Sequence, residues 1–334
     1  MIWLTWRQFR AQTWFAAAWT GLLCVVLVFF GFQIADLYNG SGAADCVTDC
    51  ETVIGNFRQQ IASGVIPGAV SLATAVMYLT PALIGAFWGA PLVARELEAG
   101  THLLAWNQSV TRTRWLTTKL AFIGGTAVAV MAALSLAGQW FARYIDSVQM
   151  DRIQPVVFGS RGIVPVAYAI FALAVGVAAG VLIRRTVPAM AVTLTVYTTA
   201  IVVMPVWIRA HLLPLTTTVR PLDTENLYGL MLNTTTADIR VLGNEDVPGA
   251  WIVGNETVTP AGLRFAGPAN LQYCDGGASG RCVDWLATLN LRQSLTYQPA
   301  EHFWPLQIVE SGIFVGLAAV LAGICLYQVR RRLA

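Results

Sequence analysis

The chain has 334 residues, of which 56% are hydrophobic and 12% charged, with a formal net charge of +3. A soluble domain keeps its surface wet with about 25% charged residues, and here the apolar residues come in long blocks, so a soluble globular protein is excluded. The small net charge says little about partners, because faces of opposite sign cancel, and no nucleic-acid partner is expected.

Residues 1–12, MIWLTWRQFRAQ, interleave Ile2, Trp3, Trp6 and Phe9 with Arg7, Gln8 and Arg10. This reads as a short interfacial helix that turns into a first span at Thr13 or Trp14; the plainer alternative is a flank carrying belt tryptophans. Long apolar blocks follow at 14–34, 68–94, 120–142, 163–183, 187–208 and 303–329. A hydrocarbon layer about 30 Å thick requires about 20 apolar residues of a helix. Backbone groups in lipid must bond internally, so each block is expected to be helical. The polar alternation of a transmembrane barrel strand is missing. The fold class is therefore an all-α polytopic membrane protein with six transmembrane helices. Helices 1–5 occupy 13–208, with a cytoplasmic coupling segment at 95–119. A cap of mixed structure fills 209–302, and helix 6 and a tail occupy 303–334.

With the N-terminus inside, the inner segments hold Arg7, Arg10, Arg95, Arg112, Arg114, Lys119, Arg184, Arg185, Arg330, Arg331 and Arg332. The two short outer loops hold only Arg58, Arg143, Arg152 and Arg161. This positive-inside bias predicts both termini in the cytoplasm. Cys46 and Cys50 then fall in the first outer loop, and Cys274 and Cys282 in the last. That placement suits disulfides in an oxidising compartment. Local bridges are the simplest of the three pairings, and bridges between the loops stay open. Cys24 and Cys325 lie within helices, where thiols behave as small hydrophobes.

The segment after helix 2, RELEAGTHLLAWNQSVTRTRWLTTKL, sets Leu97, Gly100 and Leu104 at i, i+3 and i+7 beside Arg95, Glu96 and Glu98. It describes a short helix with one apolar and one charged edge. Ser109 or Thr111 can cap the next helix, which rises through Arg112, Arg114 and Lys119. An amphipathic turn of this kind is commonly a solvated flank; on the longest inner loop it also has the form of a docking surface. In the long 209–302 segment, 238–266 shows short β-like runs broken by Gly, Asn and Pro. Residues 282–294 place Trp285, Leu286, Leu289 and Arg292 at helical spacing, which predicts a partly β, disulfide-stapled cap ending in a helix that leads into helix 6.

Catalytic chemistry is not expected. The one lysine, Lys119, follows TRTRWLTT rather than a glycine-rich phosphate loop. His102, His211 and His302 lack paired-ligand spacing, and no nucleophile elbow occurs. Within the blocks Glu310 is the single acid, and it should face protein rather than lipid. Two roles are open to it: pairing with a cation such as Arg143, or touching substrate and gating.

The 95–120 run resembles the loop between helices 2 and 3 in permease subunits of bacterial ATP-binding-cassette (ABC) exporters. That pattern is Arg-Glu, a second Glu, Gly-Thr, two leucines, Ser/Thr-x-x-Arg and a Lys opening helix 3. Arg95, Glu96, Glu98, Gly100, Thr101, Leu103, Leu104, Ser109, Arg112 and Lys119 stand in those positions. The proline that often precedes the Ser is Gln108 here. TWRQFRAQ and YQPAEHFWPLQIVESG are similar to actinobacterial members, and the whole layout resembles the ABCG-like, type V architecture, in which disulfides in the last outer loop also occur. The resemblance implies docking of Arg95, Glu96, Leu97, Glu98, Gly100, Thr101, Leu104 and Arg112 to a separate ATPase. Two ATPase copies would bind ATP and Mg, and a second permease, identical or unlike, would complete the pathway in a bacterial plasma membrane. It further implies a cavity between helices 2 and 5, for which Met77, Tyr78, Phe87, Thr195, Tyr197 and Met204 are candidate lining residues; plain helix packing is the alternative. An amphipathic or lipophilic substrate would move outward by alternating access. A sensor or immunity component that binds an antibiotic or peptide without moving it is the second reading. An ion-coupled carrier comes third, and a membrane enzyme last.

Overall fold

The computed structural model describes residues 2–46, 50–100, 111–149, 151–233, 235, 238–245, 247–267, 269–274 and 280–331. Among these, six helices are long and apolar enough to cross a membrane. They are span 1 (Thr13–Gly40), span 2 (Ile66–Glu98), span 3 (Arg112–Val148), span 4 (Val164–Ile183), span 5 (Thr186–His211) and span 6 (Ala300–Arg331). Each covers a predicted block. Span 1 continues an unbroken helix that begins at Ile2, so the turn expected at Thr13 or Trp14 is not present. No glycine or proline interrupts residues 2–20, and the Thr13 hydroxyl donates back to the Phe9 carbonyl at 3.1 Å.

The chain divides into two compact units, Met1–Arg209 with Phe303–Ala334, and Ala210–His302. In the first, span 4 is the hub: 72% of its apolar stretch is buried, against 22–39% in the other five. Small residues make this burial close. A Cβ added at Gly85 would lie 2.6 Å from the Ala172 carbonyl oxygen, and one at Gly180 would lie 2.6 Å from the Ala90 oxygen. Spans 2 and 4 therefore meet backbone to backbone, as small-x-x-x-small helices do in lipid.

Two spans carry a π-helical turn, Ile84–Gly89 in span 2 and Met204–Ile208 in span 5. The second contains Pro205, and Pro91 stands two residues past the first. A proline has no N–H to return to the carbonyl four residues earlier, and a wider turn is one way a membrane helix absorbs that loss.

A helix not expected from the sequence, Cys50–Ile61, lies between spans 1 and 2 and buries Phe57 and Ile61. Its first residue, Cys50, is bonded to Cys46, just past the turn that follows span 1. Phe57 packs edge-on against Tyr38, and Arg58 donates to the Val148 carbonyl at 2.9 Å. Local bonding also holds for Cys274–Cys282, so both bridges are the local ones.

Among its described residues the second unit contains five strands: β1 (Thr216–Pro221), β2 (Leu227–Asn233), β3 (Asp238–Gly243), β4 (Trp251–Val258) and β5 (Arg292–Gln298). They form an antiparallel sheet in the order β1-β5-β4 and a separate β2-β3 hairpin. Gln293 joins the two: its Nε2 donates to Asn244 O at 2.8 Å and to Asn255 Oδ1 at 3.1 Å. Its Oε1 accepts from Arg220 Nε at 3.0 Å.

The 238–266 expectation matches β3 and β4. The terminal helix does not match: it is Gly280–Thr288 alone, and the element before span 6 is β5. Asn290 takes a positive φ (48°) just past the helix, a backbone state that ends helices. After it, Gln293, Leu295 and Gln298 are buried within a strand rather than on a helical stripe. The unit's core gathers Ile239, Val241, Cys274, Cys282, Leu286 and Leu291. Replacing Cys274 and Cys282 by serine is expected to destabilise this unit by about 2–4 kcal/mol. Limited proteolysis against temperature would show cleavage within 210–302 before any within the spans.

Candidate functional site

Two polar constellations stand out in the first unit, at opposite ends of span 5. The first includes the last helical turn of span 2. Glu96 and Lys119 of span 3 form an ion pair at 2.5 Å, with the Lys119 side chain 5% exposed. Lys119 Nζ also stands 4.5 Å from the centroid of the buried Trp115 ring. A lysine this buried requires a partner close by, and the chain's only lysine has both a carboxylate and an aromatic face. Glu98 accepts from the N–H and the hydroxyl of Thr186, at 3.1 and 2.8 Å. Arg95 is exposed and Leu97 packs on the core. Gly100, with φ +69°, ends the helix, and Thr111 Oγ1 accepts the Arg114 N–H at 3.3 Å, one of the two capping options expected. Arg112 opens the helix of span 3. Thr101, Leu103, Leu104 and Ser109 lie outside the described residues.

The second constellation sits where spans 4, 5 and 6 meet and is fully buried. Glu310 pairs with Arg209, not with Arg143. The guanidinium fork holds both carboxylate oxygens, Nε to Oε2 at 2.7 Å and Nη2 to Oε1 at 2.9 Å, and both side chains are 0% exposed. Tyr168 of span 4 donates to Glu310 Oε1 at 2.5 Å and accepts from Arg209 Nη2 at 3.2 Å. The remaining Arg209 amine donates to the Pro155 carbonyl at 2.7 Å, and the guanidinium lies 4.4 Å over the Phe158 ring. Such a planar fork with all three nitrogens engaged is a site for arginine, not lysine. Arg143 instead stacks on Trp140 and Tyr144, at 5.1 and 4.7 Å from the ring centroids. Its neighbours on span 3 supply those aromatic faces, while Glu310 points towards spans 4 and 5.

The segment 155–162 between spans 3 and 4 is held by side chains from four spans. Tyr78 donates to Val156 O at 2.8 Å, Ser135 to Gly162 O at 2.5 Å and Arg209 to Pro155 O. Gln307 of span 6 donates to Phe158 O and Arg161 O, and its Oε1 accepts the N–H groups of Ile163 and Val164 at 2.9 and 3.1 Å. Arg161 in turn pairs with Asp146 at 3.2 Å. Arg209, Tyr168 and Gln307 were not singled out from the sequence. Arg209 stands one residue past the block ending at 208, and read as a loop residue it gave no signal; a polar residue buried in a span, such as Gln307, does give one.

Of the six proposed lining residues on spans 2 and 5, Tyr78 is half-buried and the other five separate into two groups. Met77, Tyr197 and Met204 are buried within the unit. Tyr197 donates to the Tyr78 carbonyl at 2.8 Å, which fixes span 5 to span 2. Phe87, on the π turn of span 2, is 54% exposed, and Thr195 is exposed on span 5. Among the described residues no group of three or more His, Cys, Asp or Glu side chains could hold a metal ion.

Six apolar helices of spanning length, with their charged side chains paired or stacked where they are buried, define a multi-pass membrane protein. The family model for ABC-2 membrane transporter related proteins matches residues 17–209, spans 1 through 5 and more than half of the chain. The chain belongs to that family, and so to the permease class of ABC transporters, which works with an ATPase subunit. No curated protein and no solved structure matches the chain.

Proposed function

We propose that this chain is the permease subunit of an ATP-driven exporter that moves an amphipathic or lipophilic molecule, such as a drug, peptide or lipid, out of a bacterial cell. The single observation that carries the reading is the family match over 17–209, which includes the whole 95–119 stretch. In this reading both termini, that stretch and the turn between spans 4 and 5 face the cytoplasm, and Ala210–His302 forms the outer cap. Two ATPase copies bind ATP and Mg and dock at 95–112, while this chain performs no catalysis. A second permease, identical or unlike, completes the pathway. Alternating access is then a rigid-body exchange between two packed arrangements, driven by nucleotide binding on the partner. The long apolar spans, with Glu96, Glu310 and the single lysine already paired inside the chain, support a lipophilic cargo over an ion.

The test is co-purification of the tagged full-length chain from its native membrane, followed by nucleotide assay. The expected result is a stoichiometric ATPase whose hydrolysis is stimulated by the cargo, with vanadate-sensitive flux in reconstituted vesicles. Stimulated hydrolysis without flux would replace transport by sensing; a chain that carries no ATPase would reject the proposal.

A further inference from the structure

The turn joining spans 4 and 5 leaves a helix start that its own residues do not cap. Span 4 ends on Arg184 in the left-handed region, with φ 58°. Arg185 then occupies the N-cap of span 5 with extended backbone and no side-chain cap. An arginine has no acceptor to offer the first helical N–H groups, and its positive charge opposes the positive end of the helix. The acceptor comes from 88 residues away: Glu98 Oε2 receives both the N–H and the hydroxyl of Thr186. Glu98 is the last residue of the span 2 helix. Two residues earlier, Glu96 holds Lys119 of span 3. One helical turn thus fastens three spans, and its two acids face this chain's own helices.

Resting on the reading above, we propose that Glu98 is a positioning residue of the transport cycle. It clamps the start of span 5 to the end of span 2, so that a push on the segment after span 2 moves span 5 with it. The ATPase meets other exposed residues of this turn, such as Arg95, and Glu98, exposed itself but bonded to Thr186, passes the motion on.

The test uses the full-length chain with its co-purified ATPase. Cys24 and Cys325, the free cysteines, are replaced by alanine, and a polarity-sensitive fluorophore is attached at Val202→Cys, a span 5 position 54% exposed. MgATP with orthovanadate should shift its emission. Glu98→Ala should cut the amplitude of that shift, normalised to the ATPase bound, at least about fivefold. Glu98→Gln keeps the acceptor and should restore most of the shift. Thr186→Val keeps the N–H but loses the hydroxyl and should fall between; these two variants decide the matter should Glu98→Ala fail to fold. A full shift in Glu98→Ala overturns the proposal, as does loss of the ATPase from that variant, which would make Glu98 a docking contact. Glu98→Gln as defective as Glu98→Ala overturns it too, since charge rather than capping would then act. A parent chain that carries no ATPase would instead sink the reading on which this one rests.

Discussion

Arg209→Met is expected to destabilise the protein by about 3–5 kcal/mol, and Arg209→Met with Glu310→Met together to recover much of that loss. Removing one member of a buried ion pair leaves the other charge in a medium that cannot solvate it, whereas replacing both by apolar groups of similar volume often costs little. The pair at Arg209 and Glu310 meets that condition, because neither side chain reaches solvent and the fork occupies both carboxylate oxygens. The double change still leaves Tyr168 without its acceptor and the Pro155 carbonyl without its donor, so recovery should be partial. Equilibrium unfolding in mixed micelles would read both effects, and the strong non-additivity is the signature of direct contact. Additive losses would mean that the two side chains do not share one site.

Gly180→Val is expected to be more damaging than an ordinary overpacked core. Extra methylenes in a filled core cost about 1–3 kcal/mol where side chains can yield. Here the obstacle is backbone: the first added atom would lie 2.6 Å from the Ala90 oxygen and 3.3 Å from the Ala94 nitrogen. Spans 2 and 4 would have to separate, and span 4 is the helix on which the others pack. Adding only a Cβ at Gly316 in span 6, as in Gly316→Ala, meets no atom of another element within 4 Å and should be neutral or gain about 0.5–1 kcal/mol. Thermal melting of both variants in detergent, compared by monodisperse elution, distinguishes a local packing defect from a generic intolerance of change in the spans.

The sequence showed most of the architecture because hydrocarbon is a demanding solvent. A helix that crosses it must be apolar for about 20 residues, so all six spans could be read as blocks. The Gly-x-x-x-Gly spacings at Gly85–Gly89 and Gly176–Gly180 were also in plain view, but spacing alone does not say which helix is approached. Contacts across long chain separations were hidden for the same reason. Nothing local to Glu310 names Arg209, which lies 101 residues away, and Arg143 was the better-placed cation only while span 5 was taken to stop at Ile208. Glu96 and Glu98 carried the pattern of a displayed charged edge, yet Lys119 and Thr186 engage them. The β5 segment was misread because Trp285, Leu286 and Leu289 set a helical rhythm that Asn290 interrupts. A single residue in the left-handed region outweighed the periodicity around it.

On the proposed function, the stretch after span 2 meets an ATPase inside the cell. Its most direct test is a photo-crosslinking residue placed at Ala99, an exposed position between the two clamping acids and the Gly100 turn. On irradiation in intact cells, a covalent adduct with a phosphate-loop ATPase is expected, and no reaction of Ala99→Cys with a membrane-impermeant maleimide added outside. Labelling of that cysteine from outside, or an irradiated chain free of any ATPase adduct, would contradict it.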